Sequence, residues 1–142
     1  MRRLLLLSAL LLGFASSAQA QDQSFEAVLV PLNLYLQSHA TGSGEFARQA
    51  FHPEAKLFWI RDGAVSQRTA EEYLSGFSGE PAENEAERHR RIVDVNVTGN
   101  VATATIELDY PGAMITDYMT LIEVDGAWKI INKAFYVNRR PE

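Results

Sequence analysis

Cysteine is absent from the 142 residues. That excludes disulfides, thiolate metal centres, cysteine nucleophiles and lipid attachment through a thiol. Histidine is scarce: His39, His52 and His89 are the three, and no two stand at the helical or strand spacing of a metal pair. No metal and no cofactor is therefore expected. HExxH, GxSxG, Walker A and GxGxxG are all missing, so no short motif names a reaction. Positive charge is in deficit, with 13 Lys+Arg against 18 Asp+Glu, which argues against nucleic acid or an anionic membrane surface as partner. Apolar residues make up 46% of the chain, enough to build a core without covalent staples.

The beginning of the chain has a different character. Met1-Arg2-Arg3 is basic, Leu4 to Phe14 is an apolar run, and Ala18-Gln19-Ala20 is a small-x-small cleavage site. This is the pattern of a secretory signal peptide over residues 1–20, too short to anchor the chain in a bilayer. Cleavage leaves a domain over residues 21–142, periplasmic or secreted, with no membrane anchor. Loss of Arg2 and Arg3 takes Lys+Arg from 13 to 11 and the net charge from −5 to −7.

Phe25, Val28, Leu29, Leu32, Tyr35, Leu36 and His39 recur at three-to-four-residue spacing, which predicts an amphipathic helix with a kink or restart at Pro31. Thr41-Gly42-Ser43-Gly44 breaks it, and Ser43 is placed to cap a short second helix through Gln49. Ala55 to Arg61 reads as a strand with Leu57 and Trp59 on one face and Phe58 and Ile60 on the other, ending in an Asp62-Gly63 turn. Thr69-Ala70-Glu71-Glu72 is a capping box opening a helix that buries Tyr73, Leu74 and Phe77. The acidic stretch from Gly79 to Glu87 reads as a solvated loop or as a lid over a pocket.

From Arg88 onward the pattern predicts a meander of long strands. A two-residue turn at Gly99-Asn100 sets Val97 against Ala102, Val95 against Ala104, Val93 against Ile106, Arg91 against Leu108 and His89 against Tyr110. Arg90 then pairs with Asp109 on the opposite face. A type I′ turn at Asp125-Gly126 sets Leu121 against Ile130, Met119 against Asn132, Asp117 against Ala134 and Ile115 against Tyr136. A turn at Pro111-Gly112 joins the hairpins with Leu108 beside Ile115 and Ile106 beside Asp117. The mostly apolar faces then coincide, predicting an α+β fold with N-terminal helices packed in a curved antiparallel sheet.

The chain resembles the nuclear transport factor 2-like superfamily, in particular its putative lumazine-binding branch. The residues that carry the likeness are Ala50-Phe51-His52-Pro53-Glu54-Ala55, Gly99-Asn100-Val101-Ala102, Thr116-Asp117-Tyr118-Met119-Thr120-Leu121, and Val124-Asp125-Gly126-Ala127-Trp128-Lys129-Ile130-Ile131-Asn132-Lys133. The resemblance implies a cone-shaped fold, commonly dimeric, with a pocket between helices and sheet. SnoaL-like cyclases and ketosteroid isomerase share the superfamily, but none of their catalytic sets matches by position, so the resemblance implies no reaction.

Asp117 is the most informative residue. An inward carboxylate must be hydrogen-bonded, paired or protonated; it serves as a general base or ligand anchor at a pocket floor where its diagonal neighbour Asn132 also binds the ligand, or as a structural acceptor for Asn132. Arg91 on the same face suits a rim position facing an anionic or carbonyl group, or a snorkelling structural role. Trp59, Tyr73 and Tyr136 are ligand-lining candidates beside their default role as core aromatics. Two classes of function fit: a small-molecule-binding or accessory protein with an apolar or aromatic ligand, and a cofactor-independent lyase, isomerase or hydrolase using Asp117. A self-filled dimeric scaffold is the third. Tyr118, Ile122, Ile131 and Phe135 on the reverse face suggest a homodimer contact.

Overall fold

The computed structural model describes the backbone of residues 11–141 and the side chains of residues 24–141. The leader expected over residues 1–20 lies half outside the described backbone and wholly outside the described side chains. Helices α1 (Leu11–Thr41) and α2 (Gly44–Ala50) come first, and α3 (Ala70–Leu74) follows the first hairpin. Six strands, β1 (Phe51–Arg61), β2 (Ala64–Thr69), β3 (His89–Thr98), β4 (Val101–Tyr110), β5 (Ala113–Val124) and β6 (Ala127–Arg139), form one sheet in the order β2-β1-β6-β5-β4-β3. All neighbours are antiparallel except β1 and β6.

Val28, Leu32 and Tyr35 form the fully buried stripe of α1, at the spacing that turns one helical face inward. They pack with the inward residues of the sheet, among them Leu57, Ile106, Leu108, Leu121 and Ile130. Burying each such aliphatic side chain contributes about 1.5–3 kcal/mol. The helix does not restart at Pro31, which is itself buried within it. Ser43 holds the N-cap position of α2 but makes no side-chain capping bond. Thr69 does close its capping box with Glu72. Asp62-Gly63 and Asp125-Gly126 take positive φ at both residues, as two-residue hairpin turns of the I′ type require.

The β4–β5 register is the expected one, with Ile106 opposite Asp117 and Leu108 opposite Ile115. The two outer hairpins match the expectation only near their turns. A bulge between Ile92 and Asp94 shifts β3 by one residue, so Arg90 rather than Arg91 pairs with Leu108, and Arg91 pairs with Glu107. A second bulge between Thr120 and Leu121 leaves Ile131 unmatched, so Lys133 rather than Asn132 pairs with Met119, and Phe135 rather than Ala134 pairs with Asp117. Each bulge inserts one residue, and one residue exchanges the two faces of everything beyond it.

Candidate functional site

Asp117 is fully buried, and the exchange of faces gives it different neighbours from those expected. Lys133, 4% exposed, places its Nζ 3.0 Å from Asp117 Oδ1. Tyr35 donates its hydroxyl to Asp117 Oδ2 at 2.5 Å, and Lys133 donates to the Tyr35 oxygen at 2.7 Å. The ammonium also lies 5.0, 5.2 and 4.9 Å from the ring centres of Tyr35, Tyr73 and Phe135. Burial lowers the Lys133 pKa, and Asp117 opposes that shift. Burial, then the Asp117 charge, raises that of Tyr35 well above the phenolic value. The carboxylate, ammonium and phenol thus compensate one another in a site closed to water.

His39 stands one turn after Tyr35 on the same face of α1, its ring edge-on to Tyr35 at 4.8 Å. Its Nε2 is 2.9 Å from the Tyr73 hydroxyl and its Nδ1 is 3.2 Å from that of Tyr110. Burial lowers the His39 pKa to about 3, with the cations of Lys133, Arg90 and Arg88 acting in the same direction. The imidazole is therefore neutral at ordinary pH, one nitrogen donating and the other accepting. Burial and Asp117 push Tyr73 upward as well, so its phenol stays protonated and serves as a hydrogen-bond donor. Arg90, bent inward by the β3 bulge, donates to Tyr110 at 3.0 Å and grips Glu85 with two bonds of 2.5 and 2.7 Å. That bond is the leading cause of Glu85's lowered pKa.

Beyond His39 and Tyr73 lies a cavity of about 290 Å³ whose lining includes Phe77, Arg68, Arg88 and Glu80. The chain after α3 forms its wall and is tied to α1, with the Gly79 N–H donating to the Gly42 carbonyl at 2.8 Å. Gly42 has φ +69°, and a Cβ there would meet the Glu80 carbonyl oxygen at 1.9 Å, so only glycine fits this close approach.

Among the residues singled out from sequence, Tyr73 lines this cavity. Trp59 and Tyr136 line a second cavity between β1 and β6. Asp117 lines neither, reaching the first only through Tyr35 and Tyr73. Asn132 does not bond Asp117, and its Oδ1 is buried without a partner. Arg91 points to the outer face and binds Glu107, its side chain 71% exposed. Tyr136 is 69% exposed. Sequence reasoning missed Lys133, Arg90, Arg68 and Arg88 as site residues, and counted Tyr35 and His39 only as helix-stripe positions. The need of a buried carboxylate for a cation was the one signal pointing to Lys133. Among the described residues, no group of three or more His, Asp or Glu is arranged to hold a metal, and no helix is long and apolar enough to cross a membrane.

The model of the putative lumazine-binding family matches residues 23–136. Two solved structures, both NTF2-like proteins of unknown function, superpose closely. That from Shewanella baltica is 22% identical with a TM-score of 0.74, covering 84% of this chain and 96% of its own. That from Methylobacillus flagellatus is 27% identical with a TM-score of 0.69, covering 82% and 93%. The aldolase FrzH of Cladobotryum sp. is 21% identical over 115 residues, covering 81% of this chain and 92% of that protein. With the cone-like sheet, the enclosed helices and the match over most of its length, this chain belongs to the putative lumazine-binding family of NTF2-like proteins.

Proposed function

We propose that the protein is an exported small-molecule-binding protein that holds its ligand in the cavity beside His39 and Tyr73. The observation that supports this most is the lining itself. A phenol kept protonated, a neutral imidazole, the Phe77 ring and two arginines converge on about 290 Å³, the small end of the range for ligand pockets. Such a set recognises an aromatic or conjugated molecule through a carbonyl or anionic group. The test is native mass spectrometry of the protein from the periplasm. A retained small molecule, lost on Tyr73→Phe substitution with the fold intact, is expected. A chain that starts at Gln21 is expected from the same measurement, and an intact Met1 on exported protein would refute the leader.

A second reading is cofactor-independent acid/base chemistry on a carbonyl compound. The buried Tyr35–Asp117–Lys133 cluster behind Tyr73 and the distant aldolase relative favour it. In this reading Tyr73 donates to a developing oxyanion, and Asp117 acts through Tyr35 rather than as the base itself. Binding ranks first because neither His39 nor Tyr73 has a pKa near neutrality, so the cavity offers donors without a matched base.

A homodimer through the outer sheet face completes the proposal. The β6 bulge turns Phe135 inward and Tyr136 outward, so the exposed apolar residues of that face include Ile60, Val65, Val101, Tyr118 and Tyr136. So large an apolar surface is seldom left uncovered. Tyr136→Asp should shift sedimentation from dimer to monomer; a wild-type monomer at micromolar concentration would refute the idea.

A further inference from the structure

Strands β1 and β6 pair at Phe51 with Ile130 and from Lys56–Phe58 to Asn132–Ala134, and no further, although β1 continues to Arg61 and β6 to Arg139. Beyond Phe58 the two strands part, leaving a cleft of about 830 Å³. Strand alternation puts Trp59, Arg61, Phe135 and Arg139 on the concave face, and Arg68, opposite Leu57, on that face too. Trp59 stacks on Phe135 with ring centres 5.5 Å apart. The guanidiniums of Arg61 and Arg68 lie 5.5 and 5.3 Å from the centre of the Trp59 ring.

This arrangement is unusual for an acidic protein. Three arginines line the cleft against one carboxylate, that of Asp62. Among the described residues, Arg61, Arg68 and Arg139 have no salt-bridge partner and no side-chain hydrogen bond, whereas Arg90, Arg91 and Arg140 each have a carboxylate. A guanidinium resting over an indole has lost part of its conformational freedom already. Two of them on one ring form a preorganised fork for an oxyanion. Arg68 also lines the His39–Tyr73 cavity, so the cleft and that cavity meet at its side chain.

We propose that Trp59, Arg61 and Arg68 form an anion subsite, and that the ligand is an organic carboxylate or phosphate whose acid group sits there while its ring or chain enters the Tyr73 cavity. The second half of this statement rests on the binding function proposed above; the anion subsite does not. Arg139 is the third cation at the rim. Ile60, Tyr118 and Tyr136 of the outer face border the same cleft.

The chain has two tryptophans, and Trp128 is in the core. A Trp128→Phe variant therefore reports from Trp59 alone. It is titrated with phenyl phosphate and benzoate, and with phenol and benzamide as neutral counterparts. Saturable changes in emission with the two anions, absent with the neutral pair and weakened by salt, are expected. Arg61→Gln or Arg68→Gln should each weaken binding about tenfold, the scale of one charge-assisted hydrogen bond, whereas Arg91→Gln should change nothing. Tighter binding of phenyl phosphate assigns the site to phosphates, and tighter binding of benzoate to carboxylates. Equal binding of neutral and anionic probes, or binding indifferent to Arg61 and Arg68, overturns the subsite. If Trp128→Phe does not fold, calorimetry on the wild-type chain with the same four probes makes the same distinction. Tyr73→Phe separates the two proposals: anion binding that survives it, while no molecule copurifies with the wild-type chain, sinks the Tyr73 cavity but not the subsite, and a wild-type molecule lost on Tyr73→Phe without anion binding sinks the subsite alone.

Discussion

One turn of α1 separates two polar clusters of opposite character. Tyr35 points into a closed group in which Asp117 and Lys133 cancel each other's charge, both below 5% exposure. His39, four residues on, points into an open chain of donors that runs through Tyr73 and Tyr110 to Arg90 and Glu85 and borders a cavity. The inner cluster has its charges paired within the protein. The outer one has polar groups facing space that a ligand can fill. The difference teaches that the most buried carboxylate of a cone is not by that fact its reactive group: Asp117 is held by Tyr35 and Lys133, and the polar groups that border a cavity stand one helical turn away.

The largest effect that can break this comparison is the loss of one charge from the inner cluster. Lys133→Met leaves Asp117 buried with Tyr35 as its remaining partner, and Asp117→Asn leaves the ammonium without its counter-ion. Each should cost about 3–5 kcal/mol in urea denaturation. The double variant should cost clearly less than the two together, because no uncompensated charge remains. Single losses below 1 kcal/mol would mean that water already reaches the pair, and the contrast between closed and open clusters would fail.

The outer cluster should reveal itself through pH. His39 takes up its proton at about 3 in the folded protein, against 6.5 for the free side chain. Between those values the unfolded chain binds the extra proton, so stability is fully present above about 6.5 and is lost as the pH falls. The expected slope is about 1.4 kcal/mol per pH unit from this group. His39→Gln should flatten the decline between pH 6 and 4 relative to wild type. Equal slopes in the two proteins would show that the imidazole is hydrated.

A smaller and more local effect is expected at the wall of the cavity. Gly42→Ala brings a Cβ against the backbone of Glu80 and puts a side chain on a left-handed residue, a cost of about 1–3 kcal/mol. Hydrogen exchange at the Gly79 amide, now bonded to the Gly42 carbonyl, should accelerate, while amides of β5 stay protected. An unaltered Gly79 amide would mean that the loop is held by contacts other than this one.

Much of this architecture is legible in the sequence, and the illegible part has a local cause. Strands β4 and β5 alternate without interruption, so their register, including Ile106 opposite Asp117, follows from turn residues and face polarity alone. The inward position of Asp117 follows too. The partners do not, because both bulges fall at paired β-branched residues, Ile92-Val93 and Ile130-Ile131. Two adjacent apolar residues satisfy the core in either phase, so a one-residue slip leaves no mark in the hydrophobic pattern. Every polar assignment beyond the slip is then exchanged with its neighbour: Asn132 for Lys133, and Arg91 for Arg90. The meeting of Trp59, Arg61 and Arg68 is hidden for another reason, since it depends on where β1 and β6 part, a parallel contact between strands remote in sequence.

The exchange at β3 yields the smallest predicted effect and the sharpest internal control. Arg90 and Arg91 are adjacent, chemically identical and both paired with glutamate at hydrogen-bonding distance. They differ in what the bulge does with them. The Arg90 side chain is 8% exposed, bonds Glu85 through both terminal nitrogens and also donates to Tyr110 and the His39 carbonyl. Arg90→Gln should cost about 1–3 kcal/mol, as loss of a buried charge-assisted network does. It should also loosen the 3-10 turn at Glu85–Glu87. The Arg91 side chain is 71% exposed, where an ion pair contributes 0–1 kcal/mol, at about the median for surface pairs, so Arg91→Gln should leave the melting curve nearly unchanged. Deleting Val93, the extra residue of the bulge, should keep the ranking, because Ile92 then joins Asp94 directly and Arg90 still faces Leu108. A reversed ranking in the full chain would mean that β3 carries no bulge, and equal costs that the network joining Arg90 to His39 is not formed.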